Sequence, residues 1–379
     1  MVNILIAGDI ASQNYASKFL INSFCEVTEL ISSSNYSIVN LETPIGDINT
    51  LKPIYKQGPN LLCTEHRLDI IKEIGFKAVT LANNHIYDYG EGGLCSTIQG
   101  LKKRGIEYVG AGLDCNEASA ILEKTICGKK IGFINCCEQE FSTVTTTHGG
   151  ANAIDPVKLY YQILERKKDF DYIILLIHGG VEHFQYPTKR MVQIYRFFID
   201  AGADAVINHH QHCPCGYEVY KGKPIYYGLG NFCFDWEGRS KSIWNIGYMV
   251  NLNLTGEHYI ESKIIPFRQC DDKSMVELLK GDDLELFKKM MTELCESIKS
   301  DEVLDAKLAE YNIKNDYLYK KMLEPYSGRL ASSLYRRGLL PSTINKDRVL
   351  ALMDFVVCES HYERVKELLD RLYNEYFHE

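Results

Sequence analysis

The sequence lacks a membrane-spanning apolar run and an excess of basic charge. No stretch approaches the roughly 18 apolar residues that a membrane helix needs. The chain has 42 lysines and arginines against 50 acidic residues, a net charge of −8, whereas a broad nucleic-acid surface is usually basic. Its first residues, MVNILIAGD, enter a strand pattern without the basic start and apolar core of a signal peptide. We therefore expect a cytoplasmic protein with no membrane span and no nucleic-acid partner.

The 13 cysteines lack the spacing of a structural metal cluster. They are scattered and lie mostly in apolar surroundings, as in FINCCEQ and GNFCFD. The segment HCPC at 212–215 contains one C-x-C, but a zinc site normally has a second pair. In a chain without an export signal, we expect free thiols that pack as small hydrophobic side chains.

The first 268 residues alternate between short β-branched runs and helical patterns. Such alternation predicts an α/β domain whose sheets are covered by helices. Three hairpin patterns, including ICGKKIG and YKGKPIY, indicate that the sheets are mixed rather than purely parallel. The predicted strands are NILIAG, YSIVNL, FKAVTLA, DYIILLI and ADAVINH, and the predicted helices are Glu65–Ile74, Gly92–Arg104, Pro156–Lys168 and Thr188–Ala201.

Residues 269–379 form a different kind of sequence. Apolar residues recur there at three- and four-residue spacing with charges between them, which predicts an appended helical region. This region contains Arg329, Arg336 and Arg337. They either belong to a solvated helix face or supply a guanidinium to an anionic substrate.

Polar side chains follow five predicted strands where each strand ends. A buried strand has no packing reason to end in a carboxylate or an imidazole. In α/β sheets, ligands bind in the crevice at the carboxyl ends of the strands. Five such endings in one chain therefore indicate a site. The residues concerned are Asp9, Glu42, Asn83, Asn84, His85, His178, His209, His210 and His212.

These residue types suit a metal centre. Carboxylates, imidazoles and amide oxygens bind Mn²⁺, Zn²⁺ or Fe, and two ions about 3.5–4 Å apart can promote displacement at phosphorus. Taken singly, Asp9 could cap a turn, Glu42 could be a solvated strand end, and His85 could be a core histidine. If the backbone is extended at 210–212, the imidazoles of His210 and His212 point to the same side.

The motifs occur in a recognisable order: GDI, NLETPI, LANNHIYDYG, HGGVEH and GADAVINHHQHCPCGYEVYKGKPIYYGLGNF. In this order they resemble the bacterial capsule-synthesis or poly-γ-glutamate-synthesis (CapA-like) family, which is related to the calcineurin-like metallophosphatases. The resemblance covers residues 1–268 and not the helical region at 269–379. It implies a four-layer α/β/β/α sandwich around two divalent transition metals, such as Mn, Zn or Fe.

The resemblance also implies roles for individual residues. Asp9 would bind the first metal, Glu42 would bridge both metals, and Asn84 would bind the second. His85 matches the histidine that faces the leaving group, and Glu182 is expected to contact the substrate. Asp88 is a candidate to orient His85. The full implied ligand set is Asp9, Glu42, Asn84, His178, His210 and His212.

Four positions depart from the family pattern. Ala11 stands where the wider superfamily has a histidine, so the first metal would lose one ligand. His183 follows Glu182 where the family often has a tyrosine. Asn208 and Gln211 replace the usual glycine and proline around the histidine run, and asparagine restricts a backbone that glycine leaves free.

Three functions remain open on the sequence. The first is a hydrolase that uses metal-activated water on a phosphoester in capsule, poly-γ-glutamate or cell-envelope metabolism. The second is metal-dependent chemistry on an amide or acyl bond of such a polymer precursor. The third is a non-catalytic component of polymer synthesis. In each case the expected partner is an anionic small molecule or polymer precursor, and the oligomeric state is left open.

Overall fold

The computed structural model describes residues 2–15, 21–56, 58–256, 258–271, 276–326 and 328–377. Its contacts divide the chain into two compact units, with the boundary between Lys307 and Leu308. The boundary between residues 268 and 269 that the composition suggests stays a prediction.

The described residues form strands and helices as follows. The strands are β1 (Val2–Ser12), β2 (Tyr36–Leu41), β3 (Ala78–Thr80), β4 (Glu107–Val109), β5 (Ala111–Gly112), β6 (Leu122–Ile126), β7 (Lys129–Cys137), β8 (Gly150–Ala151), β9 (Tyr172–His178), β10 (Ala205–His209), β11 (Tyr217–Tyr220), β12 (Lys223–Tyr226), β13 (Asn231–Asp235), β14 (Ile246–Thr255), β15 (Tyr259–Gln269) and β16 (Val276–Leu278). The helices are α1 (Cys25–Ser33), α2 (His66–Ile74), α3 (Gly90–Arg104), α4 (Cys115–Ala118), α5 (Pro156–Arg166), α6 (Lys189–Ala201), α7 (Gly281–Ser297), α8 (Asp301–Leu323), α9 (Arg329–Arg336), α10 (Lys346–Val357) and α11 (Glu359–Phe377).

Two large sheets organise the first unit. The larger has the strand order β16-β15-β14-β1-β2-β3-β4, and β13 also pairs with β1. The smaller has the order β11-β12-β10-β9-β7-β6. Strands β1 to β4 run parallel in one sheet, and β7, β9, β10 and β12 run parallel in the other. Within each sheet, the carboxyl ends of these parallel strands therefore lie at the same edge.

The strands are apolar on both faces because both faces are buried. In β1, Ile4 and Ile6 pack in the core between the two sheets, whereas Leu5 packs with apolar residues of α1, α2 and α3. In β9, Leu176 joins the core between the sheets, and Leu175 packs with α5 and α6. The result is the predicted four-layer α/β/β/α sandwich.

The predicted strands and helices of the first 268 residues are present, and the three hairpins are β6–β7, β11–β12 and β14–β15. One prediction about a boundary is wrong. Strand β1 does not end before Asp9 but continues to Ser12, because β13 pairs in parallel with its second half and places Asn231 opposite Asp9. Asp9 is therefore a fully buried carboxylate within a strand.

A buried asparagine links the two sheets near the carboxyl ends of their strands. Asn135 lies on β7 of the smaller sheet, and its Oδ1 accepts a hydrogen bond of 2.8 Å from the backbone N–H of Ala82, just beyond β3. Its Nδ2 donates to the carbonyl of Leu176 in β9 at 3.0 Å. This side chain fixes the start of the loop that carries Asn84.

The chain is helical from α7 onward, as predicted. The helical prediction is wrong for Val276–Leu278, which form β16 and pair with β15. In the second unit, Glu324 is buried and accepts hydrogen bonds from the hydroxyls of Thr343 at 2.7 Å and Tyr335 at 3.1 Å. Arg336 and Arg337 are exposed within that unit, and their predicted role stays open. None of the helices that the structure describes has the length and apolarity needed to cross a membrane.

Replacing Asn135 should loosen the junction between the sheets. Asn135→Leu removes the acceptor of the Ala82 N–H, and a buried donor left without a partner costs about 1–3 kcal/mol. Urea unfolding should therefore show a fall of that size in the free energy of unfolding. Asn49→Ala, at an exposed position, is the control. Equal stability of the two variants would contradict the bridging role of Asn135.

Candidate metal centre

The predicted ligands converge where the carboxyl ends of the two sheets meet. The elements β1, β2 and β3 or the loops after them supply Asp9, Glu42 and Asn84, and β9 supplies His178. Apart from Asn84, which is half-buried, the predicted ligands are buried. His210 and His212 follow β10 and complete the set.

One group of donor atoms surrounds His178. Its Nε2 lies 3.1 Å from His210 Nδ1, 3.1 Å from Asn84 Oδ1 and 3.5 Å from Glu42 Oε1. Glu42, His178 and His210 each offer a donor atom, and these atoms lie within 4.8 Å of one another. Four donors from four separate segments therefore face one small volume, as the ligands of a single cation do.

A second group lies beside the first and shares a residue with it. Asp9, Glu42 and His212 also offer donor atoms within 4.8 Å of one another. His212 Nδ1 is 3.6 Å from Asp9 Oδ2, and His212 Nε2 is 3.8 Å from Glu42 Oε1. Ala11 packs with Phe234 and Trp244 in an apolar cluster, so the position of the missing histidine is occupied by an apolar wall.

Glu42 is common to both groups and is the least satisfied residue of the site. It is fully buried, and neither carboxylate oxygen has a hydrogen-bond partner in the described part of the chain. Burial raises the pKa of the Glu42 carboxyl well above its usual range, and the nearby carboxylates of Asp9 and Glu182 raise it further. Such a group is costly unless a positive charge compensates it.

Asp9 differs from Glu42 in its hydrogen bonding. Burial alone would raise the pKa of Asp9, but hydrogen bonds from His212 and Asn40 outweigh it, and the pKa is lowered. Asn40 Nδ2 donates to Asp9 Oδ1 at 2.7 Å and lies 3.2 Å from His178 Nδ1. Its Oδ1 accepts from the Thr80 hydroxyl at 3.0 Å. Asn40 therefore contacts one residue of each donor group. The sequence did not indicate this role, although Asn40 is a polar residue within the largely apolar strand YSIVNL.

Burial favours the neutral form of two imidazoles of the site, those of His178 and His210. Burial lowers the pKa of His178 well below its usual value, and the neighbouring His210 lowers it further. Burial likewise lowers the pKa of His210 to about 4. A neutral imidazole is the form of histidine that binds a metal ion.

The loop that carries His210 and His212 is not extended. Both residues have positive φ angles, 95° for His210 and 56° for His212, so the extended backbone on which the side-chain argument depended is not present. The loop is fixed instead by Asn208, whose Nδ2 lies within hydrogen-bonding distance of four oxygens, including those of Gly179 and Gln211. Asn208 is not among the residues with positive φ in the described chain, so it does not strain the backbone where the family has glycine.

His85 lies at the site with two charged neighbours. Asp88 Oδ2 is 2.7 Å from His85 Nδ1, in agreement with the proposed orienting role of Asp88. Lys56 Nζ lies 3.3 Å from the same nitrogen and forms an ion pair with Asp88, and its side chain is only 4% exposed. Nothing in the sequence around Lys56 marks it as a site residue, since YKQGPN reads as an ordinary loop.

The rim of the crevice contains Glu182 and His183. Glu182 is exposed overall. Partial desolvation of its carboxylate acts to raise the pKa of Glu182, but the nearby His210 and His212 have the larger effect, and the pKa is lowered. His183 has φ 61°, and its ring centroid is 5.9 Å from that of His212. Arg239 Nη2 lies 3.4 Å from His183 Nε2. Cys213 and Cys215 of the HCPC segment are buried free thiols, and neither belongs to a metal-binding group of the described residues.

Comparison with known proteins agrees with the motifs. The model of the family described as bacterial capsule synthesis protein PGA_cap matches residues 3–236. The PGA biosynthesis protein CapA of Bacillus subtilis is 32% identical over 263 residues, covering 66% of this chain and 68% of the relative. The capsule biosynthesis protein CapA of Bacillus anthracis is 30% identical over 220 residues, 56% of this chain and only 53% of the relative.

More distant similarities exist as well. A probable polyglutamine synthesis accessory protein of Mycobacterium tuberculosis is 29% identical over 259 residues, 62% of this chain and 67% of that protein. Among solved structures, a 5′-nucleotidase precursor from Thermus thermophilus aligns with a TM-score of 0.43 and 12% identity, over 84% of this chain and 60% of that one. The match of the family model over more than half of the sequence shows that the chain belongs to the bacterial capsule-synthesis PGA_cap (CapA-like) family.

Proposed function

We propose that this protein is a metal-dependent hydrolase that cleaves a phosphoester by means of two divalent transition-metal ions. The observation that carries the proposal is the shared residue of the two donor groups. Glu42 is buried, belongs to both groups and has no hydrogen bond to either oxygen in the described chain. A buried carboxylate that two donor groups share would suit a ligand common to two cations.

The residues present fit such a pair of ions. Asp9, Glu42 and His212 would hold one, and Glu42, Asn84, His178 and His210 would hold the other. When bound, the ions would supply activation of a water and neutralisation of charge on a phosphoryl group. With three ligands against four, the first position should be the weaker of the two.

The protein's own side chains have separate tasks in this scheme. His85 would deliver a proton to the leaving oxygen, as a positioned acid does. Its Nδ1 is engaged by Asp88, so Nε2 is the nitrogen left to face the substrate. Glu182, exposed at the rim beside His210 and His212, would contact the substrate.

The names of the relatives favour a link to polymer synthesis, so we place the reaction in capsule or poly-γ-glutamate metabolism. The same names support the alternative in which the chain is a non-catalytic component of polymer synthesis. Chemistry on an amide or acyl bond of a precursor is a further alternative, because the same donor set could polarise a carbonyl. We favour hydrolysis because a structural component would not need two donor groups that meet at an unsatisfied carboxylate.

We also propose a cytoplasmic location. All 13 cysteines of the chain are free thiols in the structure, and several of them are buried. Proteins with many unpaired cysteines are typical of reducing compartments. Fractionation of the native host with antibodies against the protein would test this proposal.

Glu42→Gln should stabilise the metal-free protein and abolish stabilisation by metal. In the metal-free fold, the pKa of Glu42 is raised above its unfolded value, so its contribution to stability is present at low pH and is lost as the pH rises through the folded-state pKa. The variant should therefore unfold at a higher temperature than the wild type after chelation, increasingly so from pH 5 to pH 8. A difference of about 1 kcal/mol would shift Tm by about 1–2 °C in a protein of this size.

Thermal unfolding with chelator and with excess Mn²⁺ measures both effects. Added metal should raise the Tm of the wild type but not that of Glu42→Gln, while the exposed control Glu29→Gln should behave as the wild type does. A Glu42→Gln variant that Mn²⁺ stabilises as much as the wild type would show that Glu42 is not a ligand.

His178→Ala should lose one metal ion and most of the activity, because His178 is central to the group that contains Asn84 and His210. Metal content by elemental analysis, on protein never exposed to chelator, gives the stoichiometry without reference to activity. His66→Ala, on the exposed surface of α2, is the matched control. Absence of stoichiometric metal in folded wild-type protein would remove the dinuclear hypothesis.

His85→Ala should retain both metals while kcat falls by about 10²–10⁴, the range for loss of a general acid. A substrate with a nitrophenolate leaving group should be affected much less, since this group departs without a proton. Comparing kcat for a nitrophenyl and an alkyl phosphoester tests this directly. Loss of metal from the variant would instead identify His85 as a ligand.

A further inference from the structure

The loop after β13 places a guanidinium at the mouth of the metal crevice. Arg239 is half-buried, and its Cζ lies 5.2 Å from the ring centroid of Trp244, an arrangement typical of a cation–π contact. On its other side, its Nη2 lies 3.4 Å from His183 Nε2. Both aromatic neighbours hold the group in place without neutralising its charge.

Two short paths connect Arg239 to the donor group formed by Asp9, Glu42 and His212. The Trp244 ring centroid is 4.7 Å from that of His212, and the His183 ring centroid is 5.9 Å from it. On each path, only one ring separates the guanidinium from the His212 imidazole. A molecule bound at the metals through one group could therefore reach Arg239 with another.

The charge of Arg239 has no counterpart among the described residues. No carboxylate of this part of the chain lies within ion-pair distance of it. Four other half-buried arginines of the first unit do have a carboxylate partner: Arg104, Arg166, Arg196 and Arg268. Lys56, the buried cation beside His85, is already paired with Asp88.

We propose that Arg239 binds a second anionic group of the substrate, a carboxylate or a phosphate, beyond the group that is held at the metals. This inference rests on the proposed function and specifies the substrate class as one with two anionic groups. Guanidinium binds either group through two parallel hydrogen bonds, and Trp244 fixes the plane of the fork. With Arg239 in this role, the arginines of the helical region at 269–379 are not needed to bind the anionic group.

Phosphonates that are not hydrolysed provide the test. Methylphosphonate has one anionic group, phosphonoacetate adds a carboxylate, and methylenediphosphonate adds a second phosphonate. Titration calorimetry on the Mn²⁺-loaded full-length protein should show that the wild type binds one or both of the larger compounds at least about tenfold more tightly than methylphosphonate, as a charged hydrogen-bonded contact predicts. Which of the two is preferred distinguishes a carboxylate from a phosphate.

In Arg239→Gln, this preference should be lost while the metal content is unchanged, and Arg239→Lys should retain part of it. The matched control is Arg166→Gln, which also removes a guanidinium next to an aromatic ring, since Arg166 Cζ lies 5.4 Å from the Phe170 ring centroid. Phe170 precedes the amino end of β9, whereas His178 is at the carboxyl end of that strand. This variant should keep the full preference.

The outcomes separate the two hypotheses. The role of Arg239 is overturned if methylphosphonate binds but the larger compounds bind no better. It is also overturned if the larger compounds keep their advantage in Arg239→Gln, because chelation of the metals alone would then explain that advantage. In both cases the metal-dependent function stands. If no phosphonate binds the metal-loaded protein, the phosphoesterase function is overturned, and the role of Arg239 with it.

Discussion

The arrangement of the site depends on one constraint, the burial of the Glu42 carboxylate. Removing a carboxylate from water without a compensating partner costs several kcal/mol, and neither of its oxygens has a hydrogen bond within the described chain. The fold therefore tolerates a locally unfavourable group at the junction of its sheets. Asp9, equally buried, is satisfied by Asn40 and by the backbone N–H of His210, at 2.7 Å and 3.3 Å. The two proposed ligands thus differ in that the protein itself satisfies Asp9, whereas Glu42 has no hydrogen bond among the described residues.

The rest of the four-layer fold keeps that junction rigid. Parallel strands bring polar residues from distant parts of the sequence to one edge, but edges of two different sheets must also be kept in register with each other. Asn135 connects the smaller sheet to the loop after β3, and Asn40 touches Asp9 of the larger sheet and His178 of the smaller. Because two buried amides span the sheets, the donor groups do not depend on a metal ion alone to bring them together.

Much of this could be predicted from the sequence, because the relevant patterns are local. Alternating β-branched runs and helical periods indicated sheets covered by helices, and polar residues after buried strands indicated a shared site. The four-layer arrangement and the individual ligand roles were implied by the resemblance to the family. What escaped prediction depends on tertiary contacts. Lys56 lies in a loop whose sequence has no distinctive feature, and Arg239 lies in a loop after a late strand. The left-handed backbone of His210 and His212 could not be inferred, since the preceding Asn208 bonds to Gly179 and Tyr227, which are distant in the sequence.

The charged side chains near His85 differ from those near His212. Lys56 is buried, but its charge is matched by Asp88 beside His85, so this side is locally neutral and suited to handling a proton. Near His212, Arg239 is supported by Trp244 and His183 and has no carboxylate within ion-pair distance among the described residues, so its guanidinium is available to an anion. If Arg239 binds the second anionic group as proposed, the scissile ester would be left beside His85. Because Lys56 is paired with a carboxylate and Arg239 is not, the two side chains would orient a substrate with its leaving group toward the proton donor.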